Sequence, residues 1–194
     1  MAHVHTFCLP HYDQYPVHVA LFRNLSNAAF LRSQLLEANP AFDYAFLDAD
    51  MIVSPNHLKS ACFHALHHTM TNTLKARTPH SELVFRLHPN NNIGEAYRKF
   101  GIADTTSKLI AVKLALSPDV TKDQVADHLG AVVQGDSVPI GDDAAELAMH
   151  TDLKKVKTVY KLNEKKTSAN PTTDESERKE LEAVILGIMT VKGS

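Results

Sequence analysis

The segment Val17-His18-Val19-Ala20-Leu21-Phe22 is apolar except at His18 and lies between Pro16 and Asn24. Such a run reads as a largely buried strand, and a buried strand obliges other elements to cover it in layers. A helix is expected directly after it, where Ser26 or Asn24 can cap Ala28-Ala29-Phe30-Leu31 through Leu36. Asn39-Pro40 closes that helix, because proline disfavours helical geometry in the residue before it. A short strand follows at Tyr44-Ala45-Phe46-Leu47. Ser54-Pro55 then sets an N-cap before a proline at the first helical position. From there to about Asn72, Leu58, Cys62, Leu66 and Thr69 or Met70 recur at helical spacing.

The stretch Glu82-Leu83-Val84-Phe85-Arg86-Leu87-His88 shows partial alternation and stops at Pro89, which predicts a strand. Asn90-Asn91-Asn92 supply turn and capping groups for a helix from Ile93 to Phe100, with Gly101 as its left-handed C-cap. A strand is read at Leu109–Leu114 and a helix from the Thr121 cap through Leu129, ended by Gly130. Asp142-Asp143 open a further helix from Ala144 to Met149, where the dipole favours acids. Strands alternating with helices define an α/β or mixed α+β class. The expectation is a single layered domain with a central mixed sheet flanked by helices.

Residues 163–174 contain no large apolar side chain. The reading is therefore a domain over 1–162, a polar linker over 163–175 and a C-terminal helix over 176–191 that belongs to the same domain. That helix carries Leu181, Val184, Ile185, Ile188 and Met189 at spacings i, i+3, i+4, i+7 and i+8, a stripe that must be buried. Its own sheet or a partner surface would serve, and a terminal, tethered, densely apolar helix raises the partner reading.

At 194 residues the chain is sized for one core. A hydrophobic share of 44% with 22% charged residues argues against wholesale disorder. A net charge of −2 excludes a polycation, so any nucleic-acid contact must come from a local patch. No apolar run reaches spanning length and the N-terminus lacks a charged stretch leading into an apolar one, so an intracellular protein is expected. Cys8 and Cys62 then read as reduced residues rather than a disulfide framework.

Catalytic constellations are sparse. His57, His64, His67 and His68 share the long helix, and His64 and His68 fall on one face, but no HExxH, CxxC or nearby acid completes a metal set. A histidine-ligated metal enzyme is the remote alternative. Neither cysteine sits in a reactive context, no GxSxG elbow occurs, and no GxGxxG or GxxxxGK[ST] loop is present. Asp48 with Asp50, and Asp142 with Asp143, read as turn or cap acids. Lys75, Arg77, Arg86, Arg98 and Lys99, by contrast, gather against only Glu82 and Glu95. Beside them, the asparagine turn and the free N–H groups of a helix start suit phosphate or unstacked bases, and Ile93 adds an apolar contact. A second basic stretch, Lys154, Lys155, Lys157 and Lys161, reads as a solvated helix face.

The block Pro89-Asn90-Asn91-Asn92-Ile93-Gly94-Glu95-Ala96-Tyr97-Arg98-Lys99-Phe100-Gly101-Ile102 resembles the PNNNI-x-EA-x-KKFGI segment of the PRPK-binding protein family, small subunits of the KEOPS (EKC) complex. Met51-Ile52-Val53-Ser54-Pro55, Leu74-Lys75-Ala76-Arg77-Thr78 with Ser81-Glu82-Leu83-Val84-Phe85, and Val159-Tyr160-Lys161-Leu162 are similar to further family segments, so the resemblance spans most of the chain. Gly94 stands where the family often has Ser, and Tyr97 where it has a smaller aliphatic residue. The linker is longer than in animal members, which suggests a fungal or other distant relative.

The resemblance implies a non-enzymatic subunit, without cofactor or membrane association, found in nucleus and cytoplasm. Its implied partners are the PRPK-type atypical kinase-ATPase of KEOPS, the other subunits through that kinase, and the single-stranded CCA acceptor end of tRNA during threonylcarbamoyl-adenosine formation. Carried onto this chain, the RNA-contacting candidates are Lys75, Arg77, Asn90, Asn91, Asn92, Ile93 and Lys99. The kinase-contacting candidates are Leu181, Val184, Ile185, Ile188 and Met189. The alternative is an adaptor that binds protein only and activates the kinase without touching RNA.

Overall fold

Strand β2 (Val17–Arg23) is buried at every residue but the last, because it is paired on both edges and covered on both faces. The structure is a computed structural model and describes residues 1–162 and 174–192. One edge of β2 pairs with β4 (Leu109–Leu114) from Val17↔Leu114 to Phe22↔Leu109. The other edge takes β1 (His5–Phe7) along its first half and β5 (Asp136–Val138) along its second. Strand β3 (Ala45–Asp48) pairs with the far edge of β4, and every pairing is antiparallel.

The domain is thus mixed α+β as expected, but its sheet is wholly antiparallel rather than mixed. The reason lies in strand order. The helical crossover after β2 does bring β3 back in the same direction, yet β4 inserts between the two and opposes both. The short β1 and β5 carry too few apolar residues to be read as strands from sequence.

Alternation along the strands divides the core in two. Val17, Val19, Leu21, Ala45, Leu47, Ile110, Val112 and Leu114 face one layer, and Ala20, Phe22, Phe46, Leu109 and Ala111 face the other. The second face is covered by α1 (Ala28–Leu36) and α5 (Lys122–Val132) through Leu31, Val125 and Leu129. The first carries α2 (Pro55–Met70), α3 (Pro79–Leu87), α4 (Ile93–Phe100), α6 (Leu153–Val159) and α7 (Asp174–Val191).

Helix α2 begins as its sequence predicts, with the Ser54 hydroxyl accepting from His57 N at 3.0 Å and Pro55 in the first turn. The segment Glu82–His88 does not form a strand but lies in α3 and its C-cap. Thr78 caps α3 by accepting from Ser81 N at 3.1 Å, and Pro79 occupies the first turn, the same chemistry that starts α2. Helix α5 passes through Gly130 instead of ending there. A Cβ at that glycine would come within 2.9 Å of Ala2 N, so the residue serves the close approach of the N-terminal backbone. Gly101 caps α4 in extended geometry, φ −76°, rather than left-handed. A Cβ there would meet Tyr97 O at 2.7 Å while the following amide, Ile102 N, bonds to Phe46 O. The helix expected over 144–149 is a 3-10 turn, Ala145–Ala148. Of the linker reading over 163–175, residues 163–173 lie outside the described residues, and 174 and 175 belong to α7, which begins two residues earlier than expected.

Candidate nucleic-acid interface

Helices α3 and α4 form a hairpin whose outer parts carry the sequence-predicted RNA residues. Lys75, Arg77, Asn90, Asn91, Asn92, Ile93 and Lys99 are all exposed. The structure separates them into two groups. Tyr97 Oη donates to Ser81 Oγ at 2.9 Å, which sets the last turn of α4 against the first turn of α3. Lys75, Arg77 and Lys99 therefore lie toward one end of the hairpin and Asn90 to Ile93 at the other, about 13 Å apart by the rise of a nine-residue helix. No ion pair among the described residues engages Lys75, Arg77 or Lys99.

Two other cations of the basic cluster are already occupied. Arg98 pairs with Glu95 on α4. Arg86 is buried, its Nε donating to Glu82 Oε1 at 2.7 Å. The other oxygen of Glu82 accepts from Lys75 N at 2.8 Å and Ala76 N at 2.7 Å, so a buried carboxylate fixes the loop that presents Lys75 and Arg77. Beside Arg77 a cavity of about 750 Å³ opens between this end of the hairpin and α1, with Ser81, Tyr97, Leu35 and Phe42 in its walls. Asp43 also lines it, its carboxylate 3.0 Å from Nδ1 of the buried His80. Nε2 of His80 accepts from Leu114 N, so the ring is neutral with its proton toward Asp43.

At the opposite end the asparagine turn is held by a relay. Asn90 N donates to His88 Nδ1 at 3.1 Å, Asn92 N to Asn90 Oδ1 at 3.1 Å, and Glu95 N to Asn92 Oδ1 at 3.0 Å. Asn92 is the N-cap of α4. The N–H groups of Ile93 and Gly94 have no partner among the described residues, and a helix start leaves such groups free for an anion. Ile93 is 40% exposed.

Beneath the turn, the carbonyls that end α3 are met from other elements. Tyr160 Oη donates to Leu87 O. Lys192 Nζ donates to His88 O at 2.6 Å and also to Phe85 O, and lies 3.7 Å from the centre of the Phe85 ring. Burial and, next, the Arg86 guanidinium pull the Lys192 ammonium down to about 7. None of these three contacts was visible in the sequence, since the partners lie 73 to 107 positions apart.

Tyr160 is in turn oriented by His57. Val53 N donates to His57 Nδ1 at 3.3 Å, which leaves the proton on Nε2, 3.0 Å from Tyr160 Oη. Complete burial pushes His57 down to about 3, whereas an unfolded histidine titrates near ~6.5. Between those values the unfolded chain binds a proton that the folded chain refuses, so this stabilisation is complete above ~6.5 and falls with pH. Acidification from pH 7 to pH 5 is expected to cost about 2 kcal/mol from His57 alone. Urea unfolding at both pH values checks this, and His57→Gln should flatten the pH slope.

The remaining histidines of α2 have local partners. His67 Nδ1 meets Tyr12 Oη at 2.9 Å, His68 Nδ1 meets Thr73 Oγ1 at 2.6 Å, and the rings of His64 and His68 stack at 6.4 Å. Among the described residues no group of three or more His, Cys, Asp or Glu side chains converges as metal ligands would. Cys62 is buried, which pushes its thiol up, and Cys8 is exposed. Asp48 accepts from Asp50 N, and Asp50 bridges Lys108 at 3.1 Å and Lys155 at 2.7 Å, so this acid pair is structural.

Of the two placements open to the terminal stripe, helix α7 takes the protein's own core: Leu181, Ile185 and Met189 are buried there. They are held there because α7 docks beside α2 and α6: Asn56 Nδ2 donates to Glu182 at 2.8 Å, Arg178 donates to Ala148 O at 2.8 Å, and Lys157 pairs with Glu177. Of the five candidates only Val184, 46% exposed, and the half-buried Ile188 retain outward surface.

An antiparallel sheet layered between helices, with a capped asparagine turn and three cations that form no ion pair among the described residues on one helical hairpin, defines a single mixed α+β domain. Residues 22–193 match the family model described as kinase binding protein CGI-121, and the chain belongs to that family. It is 48% identical to the EKC/KEOPS complex subunit CGI121 of Phaeosphaeria nodorum, over 99% of this chain and 100% of the relative. The corresponding subunit of Aspergillus terreus is 42% identical over 92% of each chain. That of Schizosaccharomyces pombe is 34% identical over 80% of this chain and 87% of its own.

Proposed function

We propose that this chain is a non-catalytic subunit of a KEOPS/EKC assembly that binds the small PRPK-type kinase-ATPase and the single-stranded CCA end of tRNA. It would support threonylcarbamoyl-adenosine formation by positioning rather than by bond chemistry. The family's kinase-binding description and the subunit names of the relatives support the kinase half. Val184 and the outward part of Ile188 on α7 are the apolar contacts left for it.

The RNA half is carried by one observation. Seven exposed residues frame a single hairpin, with helix-start N–H groups and Ile93 at one end and cations at the other, the N–H groups and cations being unpaired among the described residues. A short unpaired strand laid along α4 meets apolar and amide groups first and phosphate-neutralising side chains next, the combination that single strands require.

Binding of the full chain to tRNA with an intact CCA end, against the same tRNA lacking it, tests this at two salt concentrations. The expected result is preference for the intact end. Charge reversal at Lys75 and Arg77 should weaken binding about tenfold or more at low salt and lower the salt slope by roughly one per lost phosphate contact. Equal affinity for both RNAs would leave the protein-only adaptor as the better description.

A further inference from the structure

The carbonyls of the last turn of α3 face a region where Phe85, Arg86, Leu87 and His88 are all buried. A helix leaves its final carbonyls without internal partners, and buried carbonyls must find others. Here two of them, Phe85 O, which also receives the C-cap amide of His88 at 3.4 Å, and His88 O, are bonded by one side chain, Lys192, from the residue that follows α7. Its position at the C-terminal end of α3 is the one the helix dipole favours for a cation. An amine keeps donor hydrogens whether or not it is charged, so the bonds survive titration.

The second bond is the informative one. His88 is the residue whose ring accepts from Asn90 N, and from Asn90 the relay continues through Asn92 to the amide of Glu95 in α4. Hydrogen bonds linked through the residues His88, Asn90 and Asn92 therefore connect the end of the terminal helix to the turn. A simple C-cap would stop at Phe85. Lys192 instead grips both sides of the exit from α3, and the approach of its ammonium to the Phe85 ring sets the direction from which it does so.

We propose that Lys192 is a positioning residue that holds the asparagine turn in the shape from which Asn91 and Ile93 are presented. Its consequence for RNA rests on the reading given under Proposed function, whereas its consequence for the turn does not.

The test compares the full-length wild type with Lys192→Met, which keeps the aliphatic stem and removes every donor, and Lys192→Arg, which restores donors. Hydrogen exchange is followed at the amides of Asn90, Asn92 and Glu95, with Ala111 and Val112 of β4 as internal reference. Lys192→Met should speed exchange at the three turn amides about tenfold with the β4 amides unchanged, and Lys192→Arg should recover much of the protection. Equal acceleration at β4 would mean global destabilisation and would overturn the proposal, as would unchanged turn amides.

Affinity for a single-stranded oligoribonucleotide ending in CCA is read alongside. Weaker binding at an unchanged salt slope supports positioning, and a slope reduced by about one would instead make Lys192 a phosphate contact. Should the wild type fail to bind the oligonucleotide, the RNA reading falls, and the exchange result still decides the role of Lys192.

Discussion

Arg86→Ala is expected to lower the unfolding free energy by about 3–5 kcal/mol, the cost of stranding a buried charge. Glu82 is fully buried and Arg86 is 2% exposed, so neither regains water when the other is removed. Both oxygens of the carboxylate are acceptors in the native state. Oε1 faces Arg86, and Oε2 receives the amides of Lys75 and Ala76. Removing the guanidinium strands Oε1 and frees the carboxylate that anchors the two loop amides, so the loop before α3 loosens with the pair.

The double variant Glu82→Leu/Arg86→Met separates the two contributions. An apolar pair of similar volume commonly recovers the loss, but here it leaves two loop amides without their acceptor, so recovery should be partial. Denaturant unfolding measures the sequence of effects, and a loss below about 1 kcal/mol for Arg86→Ala would show that water reaches the pair.

The same pair accounts for an element, α3, that reads as a strand in the sequence and is a helix in the structure. Strand β2 and helix α2 are legible because each carries both a pattern and a boundary: a nearly unbroken apolar run between Pro16 and Asn24, and a Ser-Pro start before a helical period. Helix α3 has the same kind of boundary at Thr78-Pro79, but six consecutive residues from Glu82 to Leu87 are buried, so no polar face marks its period. Leu83, Phe85 and Leu87 then imitate strand alternation. In a helix Glu82 and Arg86 stand at i and i+4 and neutralise each other, which removes Arg86 from the basic cluster.

The site divides in the same way. Exposure of the asparagine turn follows from the short-range chemistry of Asn90 and Asn92, which the sequence contains in full. The 13 Å or so between that turn and Arg77 is set by the helix in between, and a strand reading of that segment hides it. The contacts of Lys192 and Tyr160 with the end of α3 depend on how distant elements dock, for which no local signal exists.

Ile185→Glu is expected to destabilise the protein by about 4 kcal/mol or more, on the order of the largest single-site effects. Ile185 is fully buried between Leu181 and Met189 on the stripe that α7 lays into the main core. The substitution removes a full aliphatic burial of roughly 1.5–3 kcal/mol and adds a carboxyl that must be buried neutral or force the helix away. Val184→Glu, one residue earlier on the outward side, should stay within about 0.5 kcal/mol of wild type. Under the proposed function it should nonetheless weaken the kinase complex. The two variants together distinguish a helix that belongs to the domain from one that merely waits for a partner. If Ile185→Glu unfolded no more readily than Val184→Glu, α7 would not be part of the core, and Lys192 would have no fixed point from which to hold the asparagine turn.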